Sequence, residues 1–274
     1  MIVATGDMHG EYGRLLEIDR YFSNYNDQSK YLIVAGDFGY LFKNDFSENK
    51  LLDDIEARDY TIIVVPGNHE NYDAFMKYDV VDFFGAKAYK IRNNIFYICR
   101  GEIFELNEKS FLCIGGGYSI DRYMRRRGVS FWDEEMPTDE EYKYIAENIA
   151  RYRKDNKKKI DYIITHTAPL SGLLYLGKDH GQQEYPLNNF LEYVREELAE
   201  EYEHWFYGHL HIDKEINTLK QTAIWFDMIK LWSKNKLFSP YKIVPYWYII
   251  LVWIILCRRK YHENIKKVIT IIIV

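Results

Sequence analysis

Five times within the first 211 residues, a run of apolar or β-branched residues ends abruptly in side chains that bind metals. Residues 2–4 lead to Asp7-Met8-His9, 31–34 to Gly36-Asp37, 61–65 to Gly67-Asn68-His69-Glu70, 162–164 to Thr165-His166-Thr167, and 205–207 to Gly208-His209-Leu210-His211. Short apolar runs of this kind read as strands, and open α/β sheets gather their ligands beyond the carboxyl ends of strands. The pattern therefore calls for an α/β fold in which strands far apart in sequence finish at one common edge.

Residues i and i+2 of an ending strand point the same way, so Asp7 with His9 forms one pincer and His209 with His211 another. Asp37 and Asn68 add oxygen donors and His166 a nitrogen. These seven ligands exceed what one tetrahedral zinc with an open position accepts. They suit two adjacent ions sharing a carboxylate, and the imidazole–carboxylate mixture favours Zn, Fe, Mn, Co or Ni over Mg or Ca. Each residue also has a plainer reading. Asp7 and Asp37 could cap helices, Asn68 could serve the turn after Pro66-Gly67, and the histidines could be hydrogen-bonded interior or turn residues. All of these would have to hold together.

The blocks D-x-H, G-D, G-N-H-E, a lone His and G-H-x-H, in that order across residues 7–211, resemble the calcineurin-like metallophosphoesterase superfamily. The resemblance implies a four-layer αββα sandwich. It implies one ion on Asp7, His9, Asp37 and His211 and a second on Asp37, Asn68, His166 and His209, with Asp37 bridging. His69 would contact the substrate as proton donor, and Mn²⁺ is the first expectation for the ions. Many members read G-D-x-x-D, where the second Asp helps to orient the catalytic His. Here that place holds Tyr40, leaving Glu70 or Asp73 as stand-ins.

Two divalent ions, two carboxylates and a bridging hydroxide sum to a charge of about +1, which favours a phosphate oxygen. Hydroxide attack on a phosphomonoester or phosphodiester follows, with His69 protonating the departing alkoxide. The expected substrate is a small nucleotide or phosphorylated ligand. The competing readings are a nuclease and a low-activity metal-holding scaffold, tethered or oligomerised by the tail.

Length and charge divide the chain. A core of 274 residues suits one domain with an appendage, here residues 1–232 and a tail, 233–274. Residues 228–274 carry nine Lys/Arg against Glu263, +8 within a whole-chain charge of −5, so the remainder stands at −13. An acidic body repels long nucleic acid. Residues 244–257 are uncharged, and as a helix would span about 21 Å, short of a hydrocarbon core of roughly 30 Å. Their Trp/Tyr content and basic flanks suit contact with a membrane surface. Cys99, Cys113 and Cys257 lack metal or redox spacing and read as reduced packing residues. The chain opens directly on a strand, so a cytoplasmic location is expected, with association through the tail.

The coarse element order is a βαβαβ opening with helices over 12–25 and 45–58, a helix over 70–78, then β segments at 87–91, 95–99, 102–106 and 110–114 passing to a second sheet. Gly115-Gly116-Gly117 releases a loop with Arg122, Arg125, Arg126 and Arg127. Arg122, nearest the glycines with Asp121, is the expected phosphate contact, together with Asn68. Thr138 should cap a helix to about Lys154, residues 176–186 should form a polar loop containing His180, and 223–229 a last strand.

Overall fold

The computed structural model describes residues 1–232 except 157, 180, 199 and 200. The tail 233–274 with its 244–257 segment, Cys257 and His180 lie outside the described residues.

The opening is as expected: β1 (Ile2–Thr5), α1 (Tyr12–Ser23), β2 (Tyr31–Val34), α2 (Phe46–Glu56) and β3 (Thr61–Val64), with β1, β2 and β3 paired in parallel. Parallel neighbours need long crossovers, and the helices provide them. Asp45 starts α2 by accepting from the Glu48 amide at 2.9 Å. There follow α3 (Tyr72–Phe75), β4 (Val80–Phe83), β5 (Ala86–Arg92), β6 (Ile95–Ile98), β7 (Ile103–Leu106) and β8 (Lys109–Ile114). Next come α4 (Asp139–Asn156), β9 (Tyr162–Thr165), α5 (Leu170–Leu176), α6 (Tyr185–Glu197), β10 (His204–Tyr207), β11 (Lys214–Ile216), β12 (Gln221–Ala223) and β13 (Ile229–Trp232). The capping box before α4 is present: Thr138 Oγ1 accepts from the Glu141 amide at 3.2 Å while the Glu141 carboxylate accepts from the Thr138 amide at 2.8 Å.

Two sheets result, ordered β13-β1-β2-β3-β6-β5-β4 and β11-β12-β10-β9-β8-β7. Their inner faces share one apolar core that includes Ile33, Ile63, Phe104, Phe111, Ile164 and Phe206. The intervening residues Leu32, Val34, Ile62 and Val64 are equally buried, as a helix-covered outer face requires. On the far side of the second sheet, Ile145, Leu173, Leu187 and Leu191 from α4, α5 and α6 pack with Leu112 and Ile163. Two helix-flanked sheets are the fold that the motif resemblance implied. Among the described residues, no helix is long and apolar enough to cross a membrane.

Four local expectations change. The helix over 70–78 is a single turn, because the Glu70 side chain is drawn into the interior and Asn71 becomes the cap, its oxygen accepting from the Ala74 amide at 2.9 Å. The segments 87–91 and 95–99 extend the first sheet, and only β7 and β8 cross to the second. The stretch 223–229 is a bridge between β12 and β13: the amides of Trp225, Phe226 and Asp227 bond the Asp213 carboxylate, which curls the chain out of a ladder. The 176–186 loop gives way at Tyr185 to α6, a helix not anticipated.

Candidate metal centre

All five ligand blocks follow the carboxyl ends of parallel strands: β1, β2 and β3 stand side by side in one sheet, β9 and β10 in the other. The two edges meet. The His209 amide donates to both Asp7 carboxylate oxygens at 3.0 Å, and His166 Nδ1 lies 2.8 Å from the Ala35 carbonyl across the sandwich. Close approach is built in by glycine. A Cβ on Gly36 would stand 1.9 Å from His166 Nδ1, and one on Gly208 would stand 2.5 Å from Asp7 Oδ2.

Asp7, His9, Asp37 and His211 each offer one donor atom, all within 4.8 Å of one another. The Nε2 atoms of His9 and His211 face each other at 3.0 Å, His9 Nε2 lies 3.8 Å from Asp37 Oδ2, and His211 Nε2 lies 3.5 Å from Asp7 Oδ1. A second group adjoins it through Asp37. His166 Nε2 is 3.4 Å from Asp37 Oδ1 and 2.8 Å from Asn68 Oδ1, and the His166 and His209 rings are 4.8 Å apart. Asn68 is oriented by Ser119, whose Oγ accepts from Nδ2 at 2.9 Å, so Oδ1 is the atom presented to His166.

The donor chemistry fits divalent cations. Asp7 and Asp37 are both buried, and among the described residues neither pairs with Lys or Arg; their partners are imidazoles and amides. Buried carboxylates require compensation, and the His9 and His211 nitrogens that converge at 3.0 Å beside them are donors of the kind divalent cations take. Burial works to raise the Asp37 pKa, but His166, His69, His9 and the His69 amide outweigh it and hold the carboxyl below its ordinary range, so it is an anion. Asp7, His9, Asp37, His209 and His211 all adopt positive φ, half of the ten non-glycine residues that do so among those described. Such strain concentrates at functional sites, and here it turns the side chains back toward one another.

His69 joins the cluster edge, its ring 5.3 Å from that of His9 and its amide donating to Asp37 Oδ1 at 2.8 Å. The stand-ins expected to orient it are occupied elsewhere. Glu70 accepts from the Phe38 amide at 2.8 Å and from the Tyr97 hydroxyl at 3.2 Å, and burial with the nearby Asp37 charge pushes it up to about 8. Asp73 accepts from Trp132 Nε1 at 2.9 Å. Tyr40 is buried, its hydroxyl donating to the Glu11 carbonyl at 2.6 Å. The group that does touch His69 is Arg125, whose Nη2 lies 3.0 Å from both ring nitrogens. Burial, with Arg125 adding to it against the pull of Asp37, pushes His69 down to about 4.

Arg122 is directed away from this point. It lies between the Tyr118 and Phe131 rings, donates to the Trp132 carbonyl and pairs with buried Glu135 at 3.4 Å. The short turn Arg122–Met124 brings Arg125 back to the site instead. Sequence reasoning also passed over Glu184, fully buried, with Oε1 3.0 Å from His209 Nε2.

Two helix-flanked sheets with a carboxylate–imidazole cluster at their common edge define an α/β protein with a candidate metal site. More specifically, residues 1–213 match the calcineurin-like phosphoesterase family, and the chain belongs to it. No curated protein matches it. Among solved structures, it is similar to a phosphopantetheinyl hydrolase from Mycobacterium tuberculosis at 15% identity, covering 82% of this chain and 89% of that one, with a TM-score of 0.41. Another is described as a 5′-nucleotidase from Staphylococcus aureus, at 12% identity over 83% of this chain and 50% of that one, with a TM-score of 0.46.

Proposed function

We propose that the chain hydrolyses a phosphomonoester or phosphodiester of a small ligand with two divalent ions, Mn²⁺ foremost. The observation that carries this reading is the convergence of Asp7, His9, Asp37 and His211 within 4.8 Å beside Asn68 and His166. Asp7, His9, Asp37 and His211 would hold one ion, and Asp37, Asn68, His166 and His209 the other. When bound, such ions supply polarisation of the phosphoryl group and an activated water.

The chain's own residues do the rest. Arg125, anchored by Asp121 at 2.8 Å, offers forked donors beside His69 and takes the phosphate-binding role expected of Arg122. Burial pushes His69 down to about 4, so its part as proton donor requires the substrate's negative charge to draw a proton onto the ring. Two other arginines of this loop, Arg122 and Arg127, are paired with Glu135 and Asp133, which disfavours the whole run acting as a grip on a nucleic-acid strand.

The test is hydrolysis of p-nitrophenyl phosphate and bis-p-nitrophenyl phosphate with and without Mn²⁺. Turnover should vanish on chelation and return on reloading. His69→Ala should lower kcat by about 10²–10⁴-fold, the usual worth of a general acid, without releasing metal. Unchanged turnover after complete chelation would sink the proposal. Bound metal with neither ester hydrolysed would favour the scaffold.

A further inference from the structure

Glu184 stands at the start of α6, where a side-chain acceptor would ordinarily satisfy the helix's own first amides. It makes no such cap. Its Oε1 accepts from the Tyr118 amide at 2.9 Å and lies 3.0 Å from His209 Nε2. A Cβ added to Gly117 would sit 3.1 Å from His166 Cδ2, 3.3 Å from Glu184 Oε1 and 3.5 Å from Asn68 Oδ1. The carboxylate, the Asn68 amide and the His166 ring therefore close around one spot in which a Cβ would be crowded.

An imidazole offers a defined nitrogen to an ion when an acceptor holds its other nitrogen. His166 follows this rule: the Ala35 carbonyl holds Nδ1 at 2.8 Å, leaving Nε2 toward Asn68 and Asp37. His209 has a carboxylate oxygen beside the opposite nitrogen, Glu184 Oε1 at 3.0 Å from Nε2. We propose that Glu184 is a positioning residue of the metal centre, accepting the His209 Nε2 proton and so reserving Nδ1 for the ion shared with Asn68, His166 and Asp37. The proposal rests on the two-ion reading above. A carboxylate in this position also makes its imidazole a stronger donor than a carbonyl would.

The test compares wild type, Glu184→Gln and Glu184→Asp, stripped of metal and titrated with Mn²⁺ by calorimetry, with metal-free thermal unfolding as the folding control. Gln keeps the size of the side chain and an acceptor for Tyr118 but removes the charge. The expected result is one of two binding events weakened about 10–100-fold, the other unchanged, with partial recovery in Glu184→Asp. Two events of wild-type affinity in a folded Glu184→Gln protein would overturn the proposal. A role confined to anchoring the Tyr118 loop would shift unfolding without singling out one ion. Nitrogen-15 spectra of zinc-loaded wild type decide the matter even if the variants fail to fold: a proton on His209 Nε2 supports the proposal, and one on Nδ1 refutes it. Wild type that takes up no metal at all would instead sink the underlying two-ion reading.

Discussion

The two halves of the centre are built differently. Asp7, His9, Asp37 and His211 form an outer half with its imidazoles toward solvent, His9 29% and His211 46% exposed at the side chain. All four take positive φ, and the half is held by strained turns, by contacts among its own residues and by the Trp225 ring stacked on His211. Asn68, His166 and His209 form an inner half, with His166 at 0% and His209 at 7%. There each donor is held by a partner beyond the cluster: Ser119 for Asn68, the Ala35 carbonyl for His166 and Glu184 for His209. Strain of about 1–3 kcal/mol per unusual residue is thus confined mainly to the half that opens to solvent, while packing and hydrogen bonds fix the half inside the sandwich. The outer half is arranged for exchange and access, the inner half for order.

Asp37 belongs to both halves, and its replacement is the largest disturbance the comparison predicts. Asp37→Asn should lose affinity for both ions and lower turnover by more than the roughly 10–100-fold typical of an outer-layer partner. Metal content by mass spectrometry beside ester hydrolysis reads both effects. A variant that retains one ion at full affinity would show that the halves do not share this carboxylate.

Next in size is a difference in stability between two histidines, measured on metal-free protein by urea unfolding. His166→Ala removes a fully buried ring and strands the Ala35 carbonyl and the Asn68 oxygen, which should cost about 2–4 kcal/mol. His211→Ala removes a half-exposed ring stacked on Trp225 at 5.2 Å and should cost under about 1 kcal/mol. Equal losses would erase the distinction between an ordered inner half and an accessible outer one.

The same distinction governs how much could be read from the residues alone. The βαβαβ opening was legible because its β-branched runs, separated by periodic helices, have little alternative in a buried parallel sheet. The residues that converge at the strand ends were legible because Asp, Asn and His carry their chemistry in the side chain itself. What escaped depended on the path of the chain. Arg122 is nearer the glycine triplet, yet the turn Arg122–Met124 presents Arg125 to His69. Glu184 reads in sequence as an ordinary acid at a helix start, and only the meeting of α6 with the His209 turn gives it a different partner. The missed α6 did carry a signal, since Leu187, Leu191 and Val194 recur at helical spacing and are buried. The shortened α3 carried none, because the inward pull on Glu70 comes from Phe38 and Tyr97, distant in sequence.

The smallest predicted effect uses a half-buried imidazole on β10, His204, to sharpen what a carboxylate partner means. His209 has Glu184: burial pulls its pKa down, but Glu184 and the nearby aspartates carry it above its ordinary value. His204, five residues earlier, has the Thr222 hydroxyl at 2.7 Å and the Gln221 backbone but no carboxylate among the described residues, and burial outweighs the Gln221 contact and pushes it down to about 4. The unfolded chain therefore takes up a proton near pH 6.5 that the folded His204 refuses until about pH 4. Its contribution is a loss of stability as pH falls through that window, absent at pH 7 and above. Complete burial would make this about 2 kcal/mol at pH 5, and partial solvent contact reduces it to about 1 kcal/mol. Urea unfolding at pH 7 and pH 5 should show His204→Asn losing about 1 kcal/mol less than wild type between the two. Parallel losses would mean that the hydroxyl accommodates a charged ring, and that an imidazole in this strand does not need a carboxylate to hold a proton.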